Sequence, residues 1–443
     1  MKKSDIESEK QLSKEKVIAM LKTKDRKVPV NLRQSGDDGM RMLISTRLRK
    51  SPFWHKSLEA GAWCCTVYNR MYHPRAYAKP EDGGLMKEYE HLTKHVSMWN
   101  VSVERQIRVK GPDAADFVNL VITRDVHKKL PPGMARYVIL CNEEGGILND
   151  PVLLRIAEDE FWFSISDSDV LFWLQGLNYG QKYNVEIDEI DVAPVQIQGP
   201  KAKDMMVDIF GEEILNIRYY GLMEATLNSV DGKEEMSVVI SRTGFSGEIG
   251  FEVYLRDATI YADQFWNRML SAGEPHNIMV IAPSHIRRIE AGILSWGQDM
   301  DHETNPFEVG LGWQVDLKKD NYVGKEALAK IKEEGVEQIL VGVKLGGKPL
   351  TWYNEDFWLI ADENDNDVGF VTSAFYSPSL DSNIAMGFVP VKYQEIGTKL
   401  KVRLPNDGTV DAEVVPKPFK DPNKEIPKTQ LLENAEAAAA ASN

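Results

Sequence analysis

Cysteine is scarce in this chain of 443 residues: Cys64, Cys65 and Cys141 are all it has, and no two of them form a CxxC pair. That spacing excludes a zinc ribbon or a thioredoxin-type redox centre, and vicinal Cys64 and Cys65 would close only a strained bridge, so reduced thiols are expected. Also missing is any apolar run near the ~18 residues that a membrane-spanning helix needs. The opening MKKSDIESEKQLSKEKVIAMLK is charged throughout and holds no apolar signal core. Positive charge is in the minority, with 53 Lys and Arg against 67 Asp and Glu and a net charge of −14. A nucleic-acid partner and a polybasic membrane contact are therefore not expected. The chain reads as cytoplasmic.

Several reactive motifs are absent. No GxGxxG follows a strand, and neither GxxxxGK[ST] nor GxSxG occurs, which removes the apparatus of dinucleotide binding, P-loop chemistry and the hydrolase elbow. His91 and His95 lie four apart in EYEHLTKHV, as zinc ligands can, but Leu92 stands where HExxH needs Glu. A charged helix face accounts for them, and no metal is expected.

What is present suits a large globular protein of two or three domains, with 10 Trp, 15 Tyr and 15 Phe to fill its cores. Residues 1–40 are Lys/Glu-rich, with a short apolar face at Val17, Ile18, Met20 and Leu21, and read as an extension. The end from 421 to 443 reads as frayed helix or disordered tail. Between them strands and helices alternate. Gln106–Lys110 is a strand, PDAADFVNLVI opens a helix, Tyr137–Leu140 and Pro151–Ile156 flank an EEGG turn, and FWFSIS is a strand. DSDVLFWLQGL is a helix capped by Asp167 or Ser168. That order predicts an α+β unit with an antiparallel sheet, and a second such stretch runs from Val192 to about Gly297. From Gln338 the pattern is all strand and turn, as in a small β-barrel or sandwich.

Three segments stand out: IQGPKA (197–202), SRTGFSGEIGFEVY (241–254) and RIEAGILSWGQDMDHETNPFEVGLGW (288–313), the last followed by YVGKEAL. The glycines at 244, 247 and 250 allow tight turns and close ligand approach, and they present Glu248 at a loop tip; a purely structural hairpin would look the same. In this order the segments resemble the aminomethyltransferase (T-protein) family of the glycine cleavage system, from about Ser45 to Pro418. Within it, STRLRKSPF, CTVYNRM, EYEHLTKHVSMWNVSVERQI, GGILNDPVLLRI and FSISDSDVLFW look most like the dimethylsulfoniopropionate demethylases.

The resemblance implies a three-domain α+β cloverleaf around a central folate channel. Residues 41–104 and 193–300 would form a discontinuous folate-binding domain, 105–192 a second α+β domain, and 301–420 a linker and C-terminal β domain. It implies tetrahydrofolate as one-carbon acceptor and a small methylated donor as partner. Glu248 would hold the pterin, with Gly247, Phe245, Trp162, Asp167 and Trp313 beside the cofactor. A carboxylate suits that task because it accepts two hydrogen bonds from a planar amino-pyrimidine edge.

The family's aspartate after the GGI turn is here Asn149, followed by Asp150. Losing that carboxylate argues against aminomethyl cleavage, whose leaving amine needs proton management, and favours direct methyl transfer from an onium donor that departs neutral. Tyr72 and His73 are candidate acids for a phenolate leaving group, as a methoxy- or methylenedioxy-aromatic donor would require. Tyr68, Trp54 and Trp63 are candidate donor contacts, since an aromatic face attracts a methylated cation; Trp173 lies in a similar segment. The family's arginine for the folate tail is matched by Ser284. A non-catalytic folate-binding protein, the remaining reading, would carry a reactive cysteine where this chain has Trp296-Gly297-Gln298-Asp299.

Overall fold

The computed structural model describes residues 46–405 and 408–431. The expected helix around Val17–Leu21 and the chain from 432 onward lie outside these residues.

Two α+β units and a barrel make up the described chain. The first unit is built on a six-stranded sheet ordered Leu222–Asn228, Glu235–Ser241, Gly250–Arg256, Val192–Gln198, Val96–Asn100 and Ile278–Val280. Its pairings are antiparallel except the last, which is parallel. Strand alternation divides the side chains between two faces. Val195, Ile197, Phe251, Val253 and Leu255 pack with Met205, Met206, Phe265 and Trp266 of the helices Ala202–Phe210 and Ala258–Gly273. The opposite face carries Gln196, Gln198, Glu252 and Tyr254, all buried. A buried face bearing amides and a carboxylate needs partners, and that need shapes the site described below.

The second unit is a five-stranded antiparallel sheet ordered Glu186–Glu189, Gln106–Lys110, Glu160–Ser164, Val152–Ala157 and Met134–Tyr137. Phe161 and Phe163 face a core with Phe117, Val118, Val170 and Leu174 of the helices Ala114–Val121 and Val170–Gln181. Trp162 points the other way and packs with Leu154, Ala135, Val239 and Tyr254, so it joins the two sheets. The turn EEGG closes an inner hairpin of Leu140–Cys141 with Ile147–Asn149, while Met134–Tyr137 pairs with Val152–Ala157 outside it. Two local expectations need correction. The helix cap is Asp169, without a side-chain cap bond, because Asp167 instead accepts from the Asn69 amide at 2.6 Å and Ser168 donates to Leu148 O at 2.9 Å.

From Gln338 the strands close into a six-stranded antiparallel barrel, with Gln338–Leu345 pairing both Ser382–Pro390 and Gly408–Val415. Its outer residues Phe370, Phe375, Ile384 and Met386 pack on Ile286 and Ile289 of the helix His285–Glu290. Arg288 and Asp299 seal that junction: Asp299 Oδ2 accepts from Arg288 at 2.5 Å, while Thr372 and Ser373 of the barrel donate to Oδ1 at 2.6 and 2.7 Å. A second correction concerns the expected tail from 421. Residues 425–428 form a short helix, Arg242 donates to the carbonyls of Pro427 and Thr429, and Leu431 is buried in the first unit's core. Arg242 anchors this end by holding carbonyls that would otherwise be buried unpaired.

Candidate active site

A cavity of about 860 Å³ lies between the two sheets and the segment that leaves the barrel. Its size falls within the roughly 300–1,000 Å³ usual for small-molecule sites.

The loop between Glu235–Ser241 and Gly250–Arg256 lines one side. Gly247 has φ +69°, and a Cβ there would stand 2.7 Å from the Ala291 Cβ, so only glycine lets the loop lie against that helix. A Cβ on Gly250 would collide with the Gln198 amide at 2.3 Å; that amide crosses the loop's base and accepts from Ser246 Oγ at 2.5 Å. Glu248 is thereby fixed at the cavity wall. Its Oε1 accepts from Arg287 Nε at 2.6 Å, and Arg287 also donates to Gly247 O at 3.1 Å. Burial raises the Glu248 carboxyl, partly offset by the Arg287 charge. Arg287 borders the cavity, and its Nη1, buried and without a hydrogen-bond partner, lies 3.7 Å from Glu290 Oε2. A carboxylate held by an arginine beside a glycine-lipped loop suits a planar ligand that offers donors.

Deeper in, three carboxyls share the wall: Glu104, Asp150 and Glu252. Glu252 accepts from Gln196 at 2.8 Å and from Thr243 and Tyr254 at 2.6 Å each, which explains the polar face of the first sheet. Glu104 accepts from Ser164 at 3.1 Å, and burial followed by the Glu252 charge holds it well above the usual carboxylate range. Asp150 accepts from Tyr137 OH at 2.9 Å and Ser166 Oγ at 2.5 Å, and burial pushes it up to about 7. A carboxyl titrating near neutrality is suited to both taking up and giving back a proton.

The structure brings some of the sequence candidates together and separates others. Tyr68, His73, Asp150, Phe245, Gly247, Glu248 and Trp313 line the cavity, Trp313 at 65% exposure. Asn149 does not. It is fully buried, its Nδ2 donating to Ser166 O at 3.0 Å and Ser168 Oγ at 2.9 Å while its Oδ1 accepts from Ser166 N at 3.0 Å. Asn149 is therefore a scaffold for Ser166, and Ser166 holds Asp150. Tyr72 stacks on Trp54 with centroids 4.9 Å apart, and Trp63 stacks on Trp352 at 5.6 Å; none of these lines the cavity. Trp162 is occupied between the sheets and Asp167 on the Asn69 amide, so both lie off the cavity as well. Ser284 caps the helix His285–Glu290 by accepting from the Arg287 amide at 3.3 Å.

His73 behaves differently from an acid. Burial, reinforced by Arg75, drives it down to about 3, and its Nδ1 has no hydrogen-bond partner. It enters the cavity as a neutral ring. Sequence reasoning passed over Glu104, Tyr137, Ser166, Glu252 and Arg287. For Glu252 the signal was available: a carboxylate alternating with Phe251 and Val253 in a buried strand must face a polar compartment.

Among the described residues, no cluster of three or more His, Cys, Asp or Glu is placed to hold a metal, and no helix is long and apolar enough to cross a membrane. His91 and His95 stack with centroids 5.0 Å apart.

The family model of the GCVT N-terminal domain matches residues 53–319, and that of the glycine cleavage T-protein C-terminal barrel domain matches 339–421. The chain is 34% identical over 363 residues to a dimethylsulfoniopropionate demethylase of Ruegeria pomeroyi, covering 82% of this chain and 95% of that one. It is 33% identical over 382 residues to an aminomethyltransferase of Thermotoga maritima, covering 84% and 98%. The crystal structure of the glycine cleavage system aminomethyltransferase T from Bartonella henselae shares the fold, with a TM-score of 0.71 at 24% identity, covering 84% of this chain and 98% of that one.

Proposed function

Because the chain belongs to the glycine cleavage T-protein family, whose members are folate-dependent transferases, we propose that it moves a methyl group from a small donor to N5 of tetrahydrofolate. The cavity's volume, the glycine at the loop's lip and the Glu248 carboxylate on the wall all fit a reduced pterin. When bound, the cofactor supplies a nucleophilic amine. Glu248 would hold its polar edge by accepting from it, with Arg287 keeping that carboxylate in place. Asp150 would be the group to accept a proton there, and Tyr137 and Ser166 fix its carboxylate oxygens. Tyr68 and the neutral His73 ring, with centroids 5.5 Å apart, present an aromatic face to the donor.

The observation that carries this reading is Asp150, a cavity carboxyl whose affinity for a proton is matched to neutral pH. An onium donor such as dimethylsulfoniopropionate asks for nothing more, because it leaves as a neutral molecule with the bonding pair. A methoxy-aromatic donor needs an acid for its phenolate, and a His73 held near 3 is a poor one. Aminomethyl transfer is the second reading. The protonated fraction of Asp150 favours it, since that reaction must return a proton to its leaving group. The deciding experiment incubates the purified protein with tetrahydrofolate and each donor class, then identifies the folate product by mass. 5-Methyltetrahydrofolate supports the demethylase and 5,10-methylenetetrahydrofolate the aminomethyl reading. No folate adduct with any donor rejects both and leaves a folate-binding protein.

A further inference from the structure

Several cations of the cavity wall are engaged, while Lys420 and Lys424, on the segment that leaves the barrel, form no ion pair among the described residues. Arg287 is on Glu248, Arg75 lies 4.4 Å above the Tyr353 ring, and Lys417 donates to Leu340 O at 3.2 Å. Arg124 and Arg136 are different. Arg124 makes one long bond to Tyr137 O at 3.4 Å and lies 5.4 Å from the Trp313 ring centroid. Arg136 makes one bond to its neighbour Ala135 O at 3.2 Å. Among the described residues neither forms an ion pair, and nearby Asp316 is taken by Lys129 at 3.1 Å. Each guanidinium carries five donors, so most of this pair's capacity is unused. Burial and a neighbouring arginine depress both groups, Arg136 acting on Arg124 and Arg218 on Arg136. Half-buried cations with unused donors on a cavity wall are stabilised by an anion that reaches them.

Tyr137 connects this pair to the chemistry, since its carbonyl accepts from Arg124 while its hydroxyl donates to Asp150 at 2.9 Å. Resting on the one-carbon transfer proposed above, we infer that Arg124 and Arg136 clamp a carboxylate of the donor. The donor class is then a small organic acid. Neutral donors and simple onium alcohols lack the recognised group.

A carboxylate can also come from the glutamate tail of the cofactor, and the test separates the two sources. Binding of dimethylsulfoniopropionate and 3-methoxybenzoate, each against its own amide, is measured calorimetrically for the wild type, R124Q, R136Q and R136K. Tetrahydrofolate and tetrahydropteroate, which lacks the glutamate, are titrated alongside. At least one acid should bind about ten-fold or more tightly than its amide, the advantage disappearing in R124Q and R136Q and being partly restored in R136K. Tetrahydrofolate affinity should not change. Acids and amides of equal affinity, or no binding of either acid, overturn the clamp. Variants that lose tetrahydrofolate but not tetrahydropteroate affinity overturn its assignment to the donor and give it to the folate tail. These are binding readouts, so the clamp fails or stands separately from the transfer reaction, which the product assay decides.

Discussion

Asn149 and Asp150 are consecutive, yet only Asp150 reaches the cavity: Asn149 braces the backbone and side chain around Ser166, and Ser166 in turn bonds Asp150 at 2.5 Å. The amide is the brace and the acid is the working group. Replacing the brace by a carboxylate would put a charge where two donors and one acceptor are now satisfied, which costs more than a change of surface polarity.

Asp150 predicts a pH profile. For methyl transfer, kcat/KM should rise with pH through an inflection near 7, because the carboxylate is the active form. D150N should lower kcat by about 100-fold or more and remove the inflection. Stability follows the opposite sign. The native pKa lies above the ordinary 3.8, so the contribution is fully present below 3.8 and lost as pH rises through about 7. Urea unfolding should show wild type losing stability relative to D150N across that window.

His73 gives the reverse case. Its native pKa of about 3 lies below the ordinary 6.5, so its contribution is present above 6.5 and lost as pH falls toward 3. Wild type should lose stability relative to H73Q over that range, and the imidazole resonances should show no titration between pH 5 and 8. An inflection near 6.5 in those resonances would restore His73 as a candidate acid.

Much of this architecture is written plainly in the chain. Alternation at Val195–Gln198 and Phe251–Tyr254 marks half-polar strands, and the run from Gln338 marks the barrel. The choice among aromatic residues is not legible, because a stacked pair such as Trp54 and Tyr72 and a ligand contact such as Tyr68 use the same residue types. What sorts them is the packing of one unit on another, set by contacts distant in sequence. The long motif from Arg288 is similar: Arg288, Glu290 and Asp299 dock the barrel and the surrounding elements, Glu290 accepting from Tyr89 at 2.9 Å and Ser377 at 2.5 Å. Gly324 of YVGKEAL is likewise a packing requirement, a Cβ there meeting Asn142 O at 2.4 Å.

Arg287 should be costly to remove. R287M leaves Glu248 buried without its cation and is expected to lose about 3 kcal/mol of stability together with tetrahydrofolate affinity. Adding E248Q should recover much of the stability but not the affinity. Recovery of both would mean that neither residue touches the cofactor.

Gly247 tests the loop. G247A must hold φ near +69° and push its Cβ to 2.7 Å from Ala291, so a loss of about 1–3 kcal/mol is expected in denaturant titrations. Pairing it with A291G should relieve the clash but not the backbone strain.

Phe53, near the start of the described chain, and Leu431, at its end, belong to one hydrophobic core. The polypeptide leaves that core, builds the second unit and the barrel, and returns to it, so the connectivity is that of a ring fastened at one clasp. Tension applied at these two points would load the first unit while bypassing the barrel.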